Sequence, residues 1–212
     1  MRDIPLFTTE HGVASLYMKK IPFNKEAYVQ IRDSLSCESL IKECVDVCRM
    51  AGAEKVFAAG HEALSGYPLH CSVLRYTIQK QQLGSTDTVA LTVAPEQKEW
   101  WRQTYNEKMA AVATAAPLSI AAADELIQTN KAFCVYRACS LIGIGVAYGG
   151  RIHAVASVLS GGGRDTVLAL ASCLEGPEIS LSVASTNEWA RKLYLSLGFT
   201  ETETEAVWYQ IF

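Results

Sequence analysis

Between Ala132 and Ser160 the chain has room for three strands and no helix. The runs AFCVYRAC, LIGIGVAYGG and RIHAVASVLS follow one another with only short turns between them. Gly149-Gly150 joins the last two, and a two-residue glycine turn is a strong hairpin signal, because its central residues take positive φ. The period then changes. SGGG leads into RDTVLALASCL, where Val167, Leu168, Ala171 and Leu174 share a helical face, and Gly176-Pro177 ends the helix. EISLSVAS reads as an apolar strand, NEWARKLYLSLGF as a helix and EAVWYQIF as a closing strand. A hairpin in the middle of alternating strands and helices predicts a mixed sheet, α+β (α/β mixed sheet) in class.

Upstream, TVALTVA is a strand, Pro95-Glu96 opens a helix through EWWRQTYNEKMAAVA, and PLSIAAADELIQTN is a second helix. Further upstream, GVASLYMKKI and EAYVQIR read as strands. CESLIKECVDVCRMAGA is a helix with Leu40, Ile41, Cys44, Val45 and Cys48 at helical spacing and Gly52 as its stop. EKVFAAG and LHCSVLRYTIQK are strands. The polar stretch QQLGSTD is the best boundary, dividing residues 1–84 from 85–212. The segments YVQIRDSLSCESLIKECVDVCRMAGAEKVFAAG and HAVASVLSGGGRDTVLALASCLEGPEISLSVAS share the order strand, loop, helix, strand, with negligible residue identity. That order fits either a faint repeat or an unrelated strand-and-helix cap.

A net charge of -3 over 212 residues leaves no basic footprint for nucleic acid. No apolar run reaches the ~20 residues that span a bilayer, and MRDIPLFTTEHG lacks the apolar core of a signal peptide. The seven cysteines are odd in number and include no Cys-x-x-Cys pair. Cys44 and Cys48 share a helix face, but no nearby His completes a metal site. The expectation is a cytoplasmic, reduced protein with buried free thiols and no metal.

On the helix starting near Thr186, positions 187, 190, 194 and 197 form one stripe. Asn187 sits in the first turn, Ala190 permits close approach, and Tyr194 carries a polar handle. Gly198 suits a left-handed stop, with Phe199 packing back. Periodicity alone describes a capped amphipathic helix with a buried Tyr. The pattern Asn187-x-x-Ala190-x-x-Leu193-Tyr194-x-x-x-Gly198-Phe199 resembles the last motif of the GNAT superfamily of N-acetyltransferases, with the strand ISLSV at the family's usual distance before it. The resemblance covers about Asp87 to Phe212 and implies a GNAT-like acyl-CoA N-acyltransferase fold, a central mixed sheet with splayed strands flanked by helices. It leaves residues 1–84 as a degenerate GNAT-like half-domain.

The resemblance implies acetyl-CoA as cosubstrate and a primary amine as acceptor. Ser160-Gly161-Gly162-Gly163-Arg164-Asp165 stands where the family has a Gln/Arg-x-x-Gly-x-Gly/Ala loop for the coenzyme A pyrophosphate. Gly163 matches the central glycine, while Ser160 and Asp165 depart from the pattern. Backbone N–H groups and a helix N-terminus suit phosphates. Arg164 adds a cationic partner, but Asp165 repels them unless it points away or caps the helix. The pantetheine arm would lie between IHAVASV and ISLSVAS, with the backbone near Val155 and Ala156 polarising the thioester carbonyl and Asn187 at the same site. Tyr194 would protonate the leaving thiolate, since a Tyr with a reference pKa of about 10 holds its proton at neutral pH.

No acidic residue lies between Lys131 and Ser160, so His153 is the nearest candidate base, or else a structural His. Trp100, Trp101 and Tyr105 either line an acceptor pocket or pack into the core. The expected partners are acetyl-CoA and the amine, without nucleic acid or membrane, in a monomer or homodimer. A catalytically silent acyl-CoA-binding or regulatory GNAT-like module is the alternative.

Overall fold

The computed structural model describes residues 6–212. The N-terminal run Met1–Gly12, expected to lack a leader's apolar core, has its first five residues outside that range. In chain order the elements are β1 (Leu6–Thr9), β2 (Gly12–Tyr17), α1 (Ile21–Asn24), β3 (Glu26–Ser34), α2 (Cys37–Met50), β4 (Lys55–Ala59), β5 (Leu69–Gln79) and β6 (Val89–Thr92). They continue as α3 (Lys98–Met109), α4 (Ile120–Gln128), β7 (Ala132–Arg137), β8 (Ser140–Tyr148), β9 (Arg151–Ser157), α5 (Gly163–Cys173), β10 (Glu178–Ala184), α6 (Glu188–Ser196) and β11 (Thr200–Gln210).

The chain divides into two compact units. The first holds the residues up to Val73 with Ala113–Ala116 and Thr204–Phe212, and the second holds Leu74–Val112 and Pro117–Glu203. The division falls inside β5, not at the polar QQLGSTD stretch, and β5 and β11 each begin in one unit and end in the other. Beyond that point Leu74, Tyr76 and Ile78, alternate residues on one face of β5, are buried in the core that also holds Val167, Leu170 and Tyr194.

In the first unit the strands run in the order β1-β2-β3-β4-β11. β1, β2 and β3 are antiparallel neighbours, and α2 crosses over to bring β4 parallel to β3, from Glu26↔Lys55 to Gln30↔Ala59. The expected face of α2 is the buried one. Leu40, Ile41, Cys44 and Cys48 pack on Val29, Ile31, Val56 and Ala58. Burial pushes the Cys44 thiol up to about 12 and that of Cys48 to about 11, so both stay protonated and act as apolar packing. All seven cysteines are free. The alternate residues Tyr28 and Phe57 turn to the other face and pack with Cys71 and Trp208.

In the second unit the order is β11-β5-β10-β9-β8-β7-β6. β6 to β9 form an antiparallel meander, with Ala90↔Val135, Phe133↔Gly145 and Ile144↔Ala156 as partners. Gly149 (φ 57) and Gly150 (φ 71) make the expected turn. α5 packs on β6 to β9, and two β8 glycines let it come close. A Cβ at Gly143 would stand 2.1 Å from Thr166 Oγ1, and one at Gly145 would stand 2.3 Å from Leu170 Cδ1. α6 stops at Gly198 (φ 93), and the buried Phe199 packs back on Tyr194 with ring centroids 6.0 Å apart. Among the described residues no helix is long and apolar enough to cross a membrane.

Candidate functional site

β9 and β10 are parallel, but they pair only at Ser180↔Arg151 and Leu181↔Ile152. β9 then runs on to Ser157 and β10 to Ala184 without further pairing between them. The two strands therefore splay, while β9 stays paired to β8 on its other side through Gly143↔Ser157. The β10-facing side of residues 154–157 is an open strand edge that an extended ligand can pair with. A cleft of about 920 Å³ opens at this point, lined by Val155 and Ser157 of β9, by the loop from Val158 to Arg164, and by α6.

The glycine loop is built to present amide hydrogens. Val158 and Leu159 donate to Ile142 O at 2.8 and 3.2 Å, and Gly162 donates to Leu159 O at 3.1 Å. Among the described residues, Ser160 and Gly161 donate to no backbone carbonyl, and Gly163 opens α5, where a helix's first amides lack intrahelical partners. Ser160, Gly161, Gly163 and Arg164 all line the cleft. Gly162 does not. It is the pivot of the turn, since a Cβ there would meet Ile142 O at 2.8 Å, and its carbonyl accepts from Thr166 Oγ1 at 2.7 Å. Asp165 is turned aside: its carboxylate pairs with Arg137, and it is absent from the cleft lining. The charged lining residues are Lys108, Arg164 and Lys192, with no carboxylate and no imidazole among them. Such a wall attracts anions.

α6 supplies the opposite wall, which carries Lys192. Asn187 is its N-cap, with Oδ1 accepting from Ala190 N at 3.2 Å. Asn187, Ala190 and Tyr194 line the cleft as the stripe predicts. Burial raises the Tyr194 hydroxyl to about 12, so it keeps its proton throughout the neutral range. Its ring lies 6.2 Å from that of Tyr76, whose hydroxyl donates to Glu201 at 3.0 Å and accepts from Arg191 Nε at 3.4 Å. These contacts fix the helix that carries Tyr194.

Other expected residues stand elsewhere. His153 is the extra residue of a bulge in β9, where the register passes from Val146↔Ala154 to Ala147↔Ile152. It is exposed, its ring stacked 3.9 Å from Tyr148, and it lies outside the cleft lining. Its pKa is lowered, by partial burial first and by Arg151 second. Ala156 belongs to β9, but its side chain alternates away from that of Val155 and does not line the cleft. Trp101 is fully buried and donates to Phe133 O at 3.1 Å. Tyr105 packs beside it with centroids 5.6 Å apart, and burial raises its pKa. Trp100 is 43% exposed and also outside the cleft. Lys108, Trp189 and Lys192 line the cleft unforeseen. Trp189 and Lys192 carry a signal of their own, a Trp one turn before a Lys beside the stripe of Asn187, Ala190 and Tyr194.

No protein-family model matches the chain, and no curated protein matches it in sequence. Solved structures do match. A GCN5-related N-acetyltransferase from Sphaerobacter thermophilus is 14% identical, with 93% of this chain and 75% of that chain covered and a TM-score of 0.59. A provisionally described acetyltransferase from Pyrococcus horikoshii is 11% identical, with 95% and 69% covered and a TM-score of 0.63. A tandem GNAT protein from the clavulanic acid biosynthesis pathway is 12% identical, with 94% and 78% covered and a TM-score of 0.51. The mixed sheet, the splayed parallel pair and the helices flanking them are the fold of the GNAT superfamily, and this chain has that fold.

Proposed function

We propose that the chain is an N-acetyltransferase that moves an acetyl group from acetyl-CoA to a primary amine by direct attack. One observation carries the reading: a cleft beside β9, where it splays from β10, joins an open strand edge, a loop of unpaired amides at a helix N-terminus, and three cations without a carboxylate. An extended thioester bearing a pyrophosphate fits that combination. The edge of β9 takes the amide-rich arm, and the amides of Ser160, Gly161 and Gly163 with Arg164 take the phosphates. An N–H of β9 near Val155 and Ala156 holds the thioester oxygen as charge develops. Tyr194 donates a hydrogen bond, and then its proton, to the departing sulfur. A phenol raised to about 12 is a weak acid, so its proton moves late. The cleft lining has neither a carboxylate nor an imidazole to take the amine's proton, so that proton leaves to water, and water returns one to the Tyr194 phenolate.

That missing base also favours a second reading, an acyl-CoA-binding module without turnover. The two separate cleanly. Release of free thiol from acetyl-CoA over a panel of small amines, amino acids and peptide N-termini supports the enzyme, and binding without thiol release supports the module. Failure of coenzyme A to bind overturns both.

The first unit we read as a degenerate half without its own coenzyme. Its β3 and β4 stay paired from Glu26↔Lys55 to Gln30↔Ala59, and only Leu35-Ser36 separates β3 from α2, so there is neither a splayed edge nor a glycine loop. A coenzyme A stoichiometry near two per chain would contradict this.

A further inference from the structure

Trp189 is 88% exposed, the most exposed of the large apolar side chains among the described residues, yet it lines the cleft. It stands in the first turn of α6, and Lys192, one turn on, lines the same cleft. Leu159, from the glycine loop, adds a second apolar lining side chain, 49% exposed. Packing within the fold does not explain the indole, since nothing buries it. The other aromatic ring in the lining, Tyr194, is buried and committed to the core.

We infer that Trp189 is a stacking platform for the adenine of the acyl donor, with the Lys192 ammonium beside it taking phosphate charge on the nucleotide, so that the cleft selects a free coenzyme A thioester over the same arm on a carrier protein. The inference rests on the reading of the cleft as a coenzyme A site. Adenine is the one part of such a donor with a flat π face, and an indole is a strong partner for it. The arm and its first phosphate are served by β9 and the glycine loop, which a carrier-bound phosphopantetheine would also satisfy. Only the nucleotide end reaches for Trp189 and Lys192. Donor class therefore turns on residues that take no part in the chemistry.

The test is calorimetric titration of the full chain with coenzyme A, 3′-dephospho-coenzyme A and 4′-phosphopantetheine. Trp189→Ala weakens coenzyme A binding by roughly tenfold to a hundredfold, the usual loss on removing one base–aromatic stack. The same variant leaves phosphopantetheine affinity within about twofold, and Trp189→Phe retains most of the coenzyme A affinity. The exposure of the side chain lets the variants fold, which an unchanged melting temperature verifies. Equal losses on both ligands, or none on either, overturn the inference while the coenzyme A site stands. Wild-type protein that binds no coenzyme A overturns the site and the inference together. For Lys192→Ala, a loss that is larger for coenzyme A than for 3′-dephospho-coenzyme A places its charge at the ribose phosphate. An identical loss for the two places it at the pyrophosphate, and no loss removes Lys192 from the nucleotide site.

Discussion

Replacing Gly143 with Ala adds one methyl group at the closer of the two β8 glycine contacts with α5. The new Cβ would lie 2.1 Å from Thr166 Oγ1, 2.5 Å from its Cγ2 and 2.9 Å from its Cβ. Unstrained carbon atoms stand about 3.5–4.0 Å apart, so the first turn of α5 must retreat by on the order of 1 Å. Thr166 cannot swing aside, because it is fully buried and its hydroxyl is held on Gly162 O at 2.7 Å. Overpacking of this kind costs about 1–3 kcal/mol, offset by about 0.4–1 kcal/mol from a stiffer unfolded chain. A net loss of about 1–2 kcal/mol lowers the melting temperature by roughly 2–8 °C in a chain of this size. The displaced turn carries Gly163 and Arg164, so coenzyme A affinity falls with it. Thermal unfolding by circular dichroism and a coenzyme A titration read the two effects. Adding Thr166→Ala removes the two closest atoms and should recover most of the loss, a coupling of about 1 kcal/mol or more. A Gly143→Ala protein as stable as wild type, or strictly additive losses in the double variant, would refute the reasoning.

Gly163→Val should weaken coenzyme A binding strongly, because a Cβ there already stands 3.2 Å from Leu193 Cδ2 across the cleft; titration of the folded variant checks it. Arg137→Ala should release the Asp165 carboxylate and weaken coenzyme A several-fold, with Asp165→Asn restoring affinity in the double variant. Tyr194→Phe should lower kcat with little change in acetyl-CoA affinity, and unchanged turnover would reassign Tyr194 to packing. Its raised pKa also predicts alkaline instability. The folded form binds the proton more tightly, so the stabilisation is complete below about pH 10 and is lost as pH rises towards about 12. Urea midpoints of Tyr194→Phe should therefore fall less steeply than wild type over that window. A fragment starting near Asp87 should aggregate, because it lacks the buried Leu74, Tyr76 and Ile78 of its own core. A soluble, coenzyme-binding fragment would make those residues dispensable.

Sequence alone reached the meander, α5 and α6 because each is specified locally. Gly149-Gly150 needs positive φ, Val167 to Leu174 keep helical spacing, and Gly198 stops a helix wherever it packs. β1 escaped because Leu6–Thr9 is short and its turn, Glu10-His11, lacks glycine. The apolar signal of β11 begins only at Glu205, although the strand starts at Thr200, since TETET is entirely polar and exposed. The turn between β7 and β8 uses Ala138 and Cys139 at φ 44 and 67, residue types with no preference for positive φ. At the cleft, the stripe of Asn187, Ala190 and Tyr194 was legible because it is also the packing face. Trp189 and Lys192 sit beside that stripe, where periodicity describes only solvent. Trp101, Tyr105 and Met109 recur every four residues and mark the core face of α3. His153 stands outside the cleft lining at a bulge, which period-two reasoning does not contain.

The exchange of strand halves through β5 and β11 also sets the order in which the molecule can be made. Residues 204–212 belong to the first unit, where Tyr209 and Gln210 pair with Ala58 and Phe57 of β4. During synthesis, which runs from the N-terminus at about 5–20 residues per second, β4 has an unpaired edge until those residues have been added. For that interval the early half is a template in search of a strand, exposed to pairing with other nascent chains. Closure over so long a sequence separation is slow. Synonymous codons that slow translation before residue 204 should therefore lower the soluble yield while leaving the amino-acid sequence unchanged.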